Sequence, residues 1–420
     1  MVLQRKDIEI MAPVGSYESL TAAIQAKADA VYFGIGKLNM RARSTLNFTL
    51  GDLKGLVHLC NQHNIKTYLT LNTVIFDGDM SGMKEIVDAA RENGIHAIIV
   101  SDQSVLAYAR SVGMEIHLST QLSISNIESV KFYSAYADVI VLARELSLQQ
   151  VFEITENIRK EQIKGPKGEL IKIELFAHGA LCMAISGKCY MSLHEYSFSA
   201  NRGECLQVCR RGYHVTDIET GASLDIENEY IMSPKDLCTI NFLDKVLKAG
   251  VQVLKIEGRA RSAEYVKTVC ECYDEAIQSV CDNTYSQEKI NEWMKRLGTV
   301  FNRGFWDGYY LGRRLGEWSD VYGSKATKKK IYVGKVTNHF SKLSVAEILM
   351  ETGALETGDE IIIIGPTTGV VEAIIKEIRV DERPVEKTSK GERCSIPIEE
   401  LVRRSDKVYK LVMNEEQAVF

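Results

Sequence analysis

The sequence predicts an α/β protein, a (β/α)8 TIM-like barrel followed by a small all-β barrel domain. Eight short apolar runs recur along the chain, and amphipathic stretches with apolar residues at helical spacing separate them. After residue 330 the pattern changes to short strands joined by turn signals. A doubly wound open sheet is the alternative for the first part, because a sequence does not reveal the order of strands in a sheet.

The eight apolar runs are nearly continuous in hydrophobic residues, as expected of parallel strands that are covered on both faces. They span residues 8–12, 30–34, 66–72, 97–102, 115–121, 139–145, 171–179 and 253–259. Gly94 and Gly250 each stand just before a run, where a helix is expected to end. These units predict a barrel domain over residues 1–323.

The rest of the chain follows the last barrel strand. Residues 265–296 have the pattern of one or two helices, and residues 301–312 are rich in glycine and aromatic residues. The lysine-rich residues 324–330 predict a basic linker, and residues 331–420 predict the C-terminal β-barrel domain. The lysines, with Lys335 beyond them, either contact a phosphate backbone or form a solvated linker.

Composition limits the class of protein and its partners. The 420 residues are 45% hydrophobic and 25% charged, which is typical of a soluble globular protein. No apolar run approaches a membrane span or a signal-peptide core, so we expect a cytoplasmic protein without a membrane partner. Because the net charge is −5, a nucleic-acid partner would have to meet a local basic surface.

A cysteine-bearing insertion is predicted directly after the seventh strand, on the side of a barrel where active sites are built. Residues 174–211 contain Cys182, Cys189, Cys205 and Cys209 in the spacing C-x6-C-x15-C-x3-C. Clustered thiols in an intracellular chain suit metal or iron–sulfur ligation. Zinc is an alternative, although only the last pair has the usual zinc spacing, and unligated core thiols are another.

Other polar residues follow the predicted strand ends and are candidates for substrate binding and catalysis. Arginine forks bind carboxylates and phosphates, which makes the converging arginines candidate substrate ligands, although surface ion pairs would explain them as well. The candidate substrate-binding residues are Arg41, Arg43, Gln121, Arg144 and Arg259.

The predicted catalytic residues are His178 and Glu257. His178 follows an apolar strand and is either an acid/base group or a hydrogen-bonded core histidine. Glu257 is either catalytic or half of an orienting ion pair with Arg259. Cys238 competes with Cys209 as a fourth ligand because it lies near the insertion in sequence. No H-E-x-x-H, G-x-S-x-G or P-loop motif is present, so the sequence shows no hydrolytic machinery.

Several motifs resemble those of one family. They read ELFAHGALCMAISGKC, GECLQVCRR, SPKDL and KIEGRARSAEYV, with APVGSYESLTAAIQAKADAVYFG near the start and NRGFWDGYYLG towards the end. With these motifs the chain resembles the collagenase-like peptidases of family U32. Within the family, the tail domain and the GxCxxxCR form are most similar to the tRNA hydroxylation protein P branch.

The resemblance implies a barrel-type catalytic domain, a C-terminal β-barrel and a 4Fe–4S cluster. It also implies 5-hydroxylation of the wobble uridine in tRNA with prephenate as co-substrate. On the matching motifs, the cluster ligands would be Cys182, Cys189, Cys205 and Cys209, with Cys238 as an alternative to Cys209. Prephenate is a small dicarboxylate, and this suits the arginines named above.

The partners implied are therefore tRNA, the dicarboxylate and an electron-transfer protein. Tyr190, Tyr196 and Phe198 are candidates for stacking on an extruded base. Two other functions stay open: a collagenase-like metal-dependent peptidase, as the family's name suggests, and a structural zinc protein that only binds RNA.

Overall fold

The computed structural model describes residues 3–43, 47–226, 233–312, 316–319 and 323–414, and it forms a barrel unit and a separate β-sheet unit. The first seven strands are β1 (Glu9–Pro13), β2 (Ala30–Gly34), β3 (Lys66–Leu71), β4 (Ala97–Val100), β5 (Glu115–Leu118), β6 (Val139–Val141) and β7 (Lys172–Gly179). The helices between them are α1 (Tyr17–Gln25), α2 (Leu53–Gln62), α3 (Met80–Glu92), α4 (Gln103–Ser111), α5 (Ile127–Ser134) and α6 (Leu148–Glu161).

These helices begin where the sequence supplies a capping side chain. Ser16, Asp102 and Asn126 each accept a backbone N–H of the first turn, at α1, α4 and α5. Such a cap satisfies one of the N–H groups that a helix start leaves without a partner. The starting residues of these three helices are therefore fixed by their capping side chains.

The insertion after β7 contains α7 (Met191–Tyr196), a hairpin of β8 (Tyr213–Thr216) and β9 (Ser223–Ile226), and β10 (Asp236–Cys238). Then follow α8 (Leu243–Lys248), β11 (Val253–Ile256), α9 (Ala263–Cys281), α10 (Gln287–Thr299) and β12 (Phe305–Trp306).

The eight parallel strands close into a barrel. Each of β1 to β7 pairs in parallel with the next, and β11 pairs in parallel with both β1 and β7. The predicted (β/α)8 barrel is confirmed, and the open doubly wound sheet is excluded by this closure. β10 adds to β7 in antiparallel orientation and β12 adds to β10. The insertion thus ends, at β10, as an extension of the barrel wall.

Successive residues of a strand point to opposite faces, and both faces are filled. Ile10 and Val31 pack outward under the helices, whereas Met11 and Tyr32 pack in the barrel interior with Tyr68 and Ile99. The barrel is therefore a packed core, and its chemistry must lie at one end.

The C-terminal unit is all-β, as predicted. Its strands are β13 (Lys328–Phe340), β14 (Val345–Met350), β15 (Glu360–Gly365), β16 (Gly369–Ile374), β17 (Ile378–Val380), β18 (Arg383–Val385), β19 (Arg393–Pro397) and β20 (Lys407–Met413). They form one antiparallel sheet around a shared apolar core. The order of its described strands is β16-β15-β20-β13-β14-β19-β17-β18, which agrees with the predicted all-β C-terminal domain.

The predicted linker 324–330 is shorter than expected. β13 begins at Lys328, and the ladder with β20 already includes Lys328 to Lys330. Lys330 binds Glu264 at 2.6 Å and Lys335 binds Glu351 at 2.7 Å. These paired lysines are structural, which argues against the prediction that the run contacts a phosphate backbone. The last six residues of the predicted domain lie outside the described residues.

The two units are joined by specific hydrogen bonds on α1. Gln25 donates from Nε2 to the Thr368 carbonyl at 2.9 Å and accepts the Val370 N–H at 2.9 Å. Thr21 donates to the Pro366 carbonyl at 2.7 Å. The sheet therefore covers an outer helix of the barrel. In the described residues, no helix is both long and apolar enough to cross a membrane.

Candidate active site

A cavity of about 270 Å³ lies at the carboxyl end of the barrel strands. Its walls come from the strand ends, from the loop after β2 and from the insertion. The lining includes Arg41, Asn72, Gln121, Arg144, Phe176, Cys182, Cys189, Cys205, Cys209, Lys255, Glu257 and Arg259. All four predicted cysteine ligands and four of the five predicted substrate-binding residues therefore line one space.

Two glycines place the insertion over the barrel mouth. Gly179 ends β7 with a φ of +106°, and a side chain there would lie 2.3 Å from the Glu257 carbonyl oxygen. Gly203 has a φ of +81°, and its added carbon would lie 2.1 Å from the Asn39 carbonyl oxygen. Only glycine allows both the left-handed backbone and these approaches. The segment that carries Cys205 is thus held against the loop that carries Arg41.

The four thiols are placed around the cavity, and their surroundings suit sulfur ligands. Burial raises the pKa of Cys209 to about 11; Arg210 lowers it, and the charges of Cys182, Cys205 and Cys189 raise it further. The Met191 N–H donates to Cys189 Sγ and the Gln207 N–H to Cys205 Sγ, both at 3.4 Å. Such N–H donors stabilise thiolates that hold a cluster. The donor type and position therefore fit an iron–sulfur group.

The thiols do not yet form a ligand set. Throughout the part of the chain that the structure describes, no three His, Cys, Asp or Glu side chains converge in a way that could hold a metal ion. Residues 180–190 and 197–212, which carry the four cysteines, are coil, short 3-10 turns and loop.

Cys238, the alternative fourth ligand, lies elsewhere. It is on β10 with 2% exposure, outside the cavity lining, and its Sγ lies 3.9 Å from the Met294 sulfur. Burial raises its pKa to about 12. The structure thus separates Cys238 from the other thiols and leaves Cys209 among them.

Glu257 forms the main ion pair of the cavity. Its Oε1 accepts hydrogen bonds from Arg41 Nε at 3.0 Å and from a terminal guanidinium nitrogen at 2.6 Å, and Tyr32 donates to Oε2 at 3.2 Å. Burial would raise the pKa of Glu257, but Arg41, Arg259 and Arg144 lower it to about 2. Glu257 is therefore a carboxylate near neutral pH. The predicted Glu257–Arg259 pair is corrected, because the ion pair is made with Arg41.

Arg259 and Arg144 present guanidinium groups to the cavity without an ion-pair partner among the described residues. Arg259 is 4% exposed and donates to Asn39 Oδ1 at 3.1 Å and Thr70 Oγ1 at 2.8 Å, both neutral. Arg144 lies 3.9 Å over the ring of Phe176. The Nε of each is buried and has no hydrogen-bond acceptor in the described structure. Buried donors of this kind are expected to bind an anion.

Gln121 stands beside them. Its Oε1 accepts hydrogen bonds from the Ser119 hydroxyl and from Asn72 Nδ2, which fixes the amide orientation in the cavity wall. A side chain amide held in this way can donate to a ligand oxygen. Its predicted place in the site agrees with the structure.

His178 and Arg43 lie outside the cavity lining. His178 is buried on β7 against Tyr265, Tyr273 and Phe305, and burial lowers its pKa to about 3. The prediction of a catalytic acid/base is corrected: His178 is a neutral core histidine. Arg43 is exposed and lies 4.0 Å over the Phe198 ring, so it belongs to the rim of the site.

Four basic residues of the lining were missed. Lys255 is buried on β11 and binds Glu174 at 2.7 Å. A signal existed, since residues 255, 257 and 259 alternate along the predicted run 253–259, and alternate residues of an extended chain point to the same side. Arg210, Arg261 and Arg303 lie in the motifs CRR, GRARS and NRGF, but no local pattern shows that these segments meet.

A family model described as Peptidase family U32 matches residues 15–320. The chain is 60% identical over 410 residues to a Porphyromonas gingivalis protein named Collagenase, covering 98% of this chain and 99% of that protein. It is 32% identical over 369 residues to tRNA hydroxylation protein P1 of Bacillus subtilis, covering 86% and 84%. It is 31% identical over 317 residues to tRNA hydroxylation protein P of Helicobacter pylori, covering 73% and 72%.

Proposed function

The chain belongs to peptidase family U32, and on that premise we propose that it is a tRNA-modifying iron–sulfur enzyme. The reaction is 5-hydroxylation of the wobble uridine in tRNA with prephenate as co-substrate. The observation that carries the proposal is one cavity whose described lining holds four thiols, seven basic side chains and a single carboxylate. Relatives named tRNA hydroxylation proteins support an RNA substrate.

The cofactor in this proposal is a 4Fe–4S cluster held by Cys182, Cys189, Cys205 and Cys209. When bound, it supplies one-electron transfer or Lewis-acid activation of an oxygen donor, with electrons from a partner protein. The backbone donors to Cys189 and Cys205 support thiolate ligands, and the many arginines offset the negative charge that four thiolates bring.

The small dicarboxylate binds at the barrel mouth. Arg144 and Arg259 line the cavity without a carboxylate partner among the described residues, and a guanidinium fork binds a carboxylate through two parallel hydrogen bonds. Arg41 orients Glu257 and is held by it, so this pair shapes the wall. Gln121 adds a neutral amide for a hydroxyl or carboxylate oxygen.

The rim of the cavity binds the RNA. Tyr190 is 74% exposed, and Tyr196 is also exposed beside the cysteine segment. The guanidinium of Arg43 lies over Phe198 and that of Arg211 lies 5.1 Å from the Tyr196 ring centre. Exposed rings stack on unpaired bases, and adjacent arginines neutralise phosphates. A wobble base extruded from the anticodon loop would enter between these residues.

A collagenase-like peptidase is the second candidate, because a relative of nearly full-length similarity is named Collagenase. Peptide hydrolysis needs an activated nucleophile or a metal-bound water. No histidine lines the described cavity, and the pKa of Cys209 is raised, so none of the described lining supplies an imidazole base for a thiol. A peptidase would therefore depend on a metal at the cysteines.

The test is nucleoside analysis of tRNA from a strain that lacks the gene. We expect 5-hydroxyuridine and its derivatives to disappear, to return with the wild-type gene and to stay absent with Cys182→Ala. Cys60→Ala is the matched control, since Cys60 is a buried thiol of α2 outside the cavity. Unchanged 5-hydroxyuridine in the deletion strain, with chelator-sensitive cleavage of collagen peptides by the purified protein, would favour the peptidase.

A further inference from the structure

Three further arginines line the cavity on the side of the cysteines. Arg210 follows Cys209, Arg261 lies between β11 and α9, and Arg303 precedes β12. Three segments far apart in sequence thus bring guanidinium groups to one wall. The motifs do not assign a role to any of them.

These arginines have few charged partners. Arg210 donates to Ser233 Oγ at 2.7 Å and to the carbonyls of Pro234 and Leu181 at 3.0 and 2.8 Å, which are neutral acceptors. The Arg261 guanidinium lies 3.5 Å from the ring centre of Phe301, and within the described residues it makes no hydrogen bond. Its charge therefore has no carboxylate ion partner there.

The group contains one carboxylate for three cations. Arg303 is 9% exposed and donates to Asp236 Oδ1 at 3.5 Å, and Asp236 is 2% exposed. Glu257 does not neutralise the three arginines, because its ion pair is made with Arg41. Partly buried cations in excess are costly unless an anion joins them.

We propose that Arg210, Arg261 and Arg303 form a second anion subsite, which binds a carboxylate or phosphate group of a small molecule. Guanidinium groups that converge from several segments match the oxygens of such a group. The 9% exposure of Arg303 favours a small ligand over an RNA backbone, which would need cations at the surface. The subsite deepens the proposed function, on which it rests for its natural ligand: a dicarboxylate has a second carboxylate beyond the one at Arg144 and Arg259.

The first experiment localises the subsite in the wild-type holoprotein. Arginines of the anaerobically purified protein are modified with phenylglyoxal, and peptides are quantified by mass spectrometry with and without malonate or inorganic phosphate. We expect either anion to slow modification of Arg261 at least fivefold. Arg110, which also lies over an aromatic ring but far from the site in the fold, is the internal control and should not change.

The second experiment measures affinity by calorimetry with the same two anions. Arg261→Gln should weaken binding about tenfold, and Arg110→Gln should stay within twofold of wild type. The anion that binds more tightly indicates whether the subsite takes a carboxylate or a phosphate group. Neither experiment uses tRNA, so their failure is distinct from failure of the hydroxylase proposal.

Unprotected Arg261 in the wild-type protein would overturn the subsite, whether or not the variant folds. Wild-type anion affinity in folded Arg261→Gln would overturn it as well, and a loss of iron and sulfide in that variant would then assign the arginines to the charge of the cluster. Protection of Arg261 by an RNA oligonucleotide, but by neither small anion, would place an RNA phosphate there instead.

Discussion

Glu257 is the residue on which the charge balance of the cavity depends. Within the described lining it is the only carboxylate, and Arg41, Arg259 and Arg144 all lower its pKa. Removing it would break the ion pair with Arg41 and would increase the repulsion among the arginines. The first role of Glu257 is therefore structural: it neutralises positive charge in the cavity.

Glu257→Gln should lower the free energy of unfolding by about 3 kcal/mol near neutral pH. The pKa of Glu257 is about 2 in the folded state against its ordinary 4.5. The carboxylate therefore stabilises the fold above pH 4.5, and this contribution is lost as the pH falls from 4.5 towards 2. Denaturation of both proteins between pH 7 and pH 3 measures the difference, which should shrink at low pH. A difference that is constant with pH would contradict the assignment.

His178 also makes the protein less stable as the pH falls, but for a different physical reason. Its pKa is about 3 in the folded state against an ordinary 6.5, because burial disfavours the imidazolium. The unfolded chain gains a proton below pH 6.5 and the folded chain does not, so His178 lowers stability as the pH falls from 6.5 towards 3.

His178→Phe should therefore make the protein less sensitive to pH in that range. Phenylalanine suits the aromatic surroundings, and we expect a cost below about 1.5 kcal/mol at pH 8. The variant should keep its iron and its tRNA hydroxylation. Loss of hydroxylation in a folded variant with normal iron would restore His178 as a catalytic residue.

At the scale of elements, the insertion between β7 and β11 is what converts a packed barrel into a site. Its docking depends on close backbone contact at Gly203, where the left-handed backbone lies against Asn39. Gly221, in the turn of the β8–β9 hairpin, has a similar φ of +70° but open space around it. Substitutions at these two glycines therefore distinguish the cost of backbone strain alone from the cost of lost docking of the insertion.

Gly203→Ala should destabilise the protein by about 2 kcal/mol or more, whereas Gly221→Ala should cost about 1 kcal/mol. The larger cost at Gly203 comes from the clash of the added methyl group with the Asn39 carbonyl. Thermal unfolding measures the cost, and limited proteolysis shows whether residues 180–212 become accessible in Gly203→Ala alone. Equal cost and equal cleavage in both variants would mean that Gly203 does not hold the insertion in place.

The sequence predicted the helices and strands whose formation depends mainly on neighbouring residues in the chain. Apolar runs and capping residues define strands and helices within a few residues, so all eight barrel strands were found. The position of the cysteines after the seventh strand also placed them at the right end of the barrel. The Glu257–Arg41 pair was missed because its partners are far apart in the chain, and adjacent Arg259 seemed the nearer choice. His178 was assigned wrongly because burial by β10, β12 and α9 is not visible locally.

At the scale of the whole molecule, the C-terminal sheet is attached to the barrel through α1. Gln25 makes both a donor and an acceptor hydrogen bond to β16 and its preceding turn. This contact links the stability of the two units, although it lies on an outer helix of the barrel.

Gln25→Ala should remove both hydrogen bonds and cost about 1 to 2 kcal/mol of coupling between the units. Calorimetry should show the melting transition of the variant broadening or splitting in two. Gln62→Ala, on the exposed face of α2, is the control and should melt as wild type does. A single unshifted transition in Gln25→Ala would show that the other contacts, such as Thr21 with Pro366 and Lys330 with Glu264, join the units without Gln25.

The central claim is that the four cavity thiols hold an iron–sulfur cluster. The most direct measurement is iron and acid-labile sulfide per chain after anaerobic purification, for wild type and for Cys182→Ala, Cys209→Ala and Cys238→Ala. We expect about four iron and four sulfide in wild type, their loss in Cys182→Ala and Cys209→Ala, and their retention in Cys238→Ala, which lies outside the cavity. Wild-type protein without iron and sulfide, even after reconstitution, would contradict the claim, and zinc in their place would favour a structural metal site.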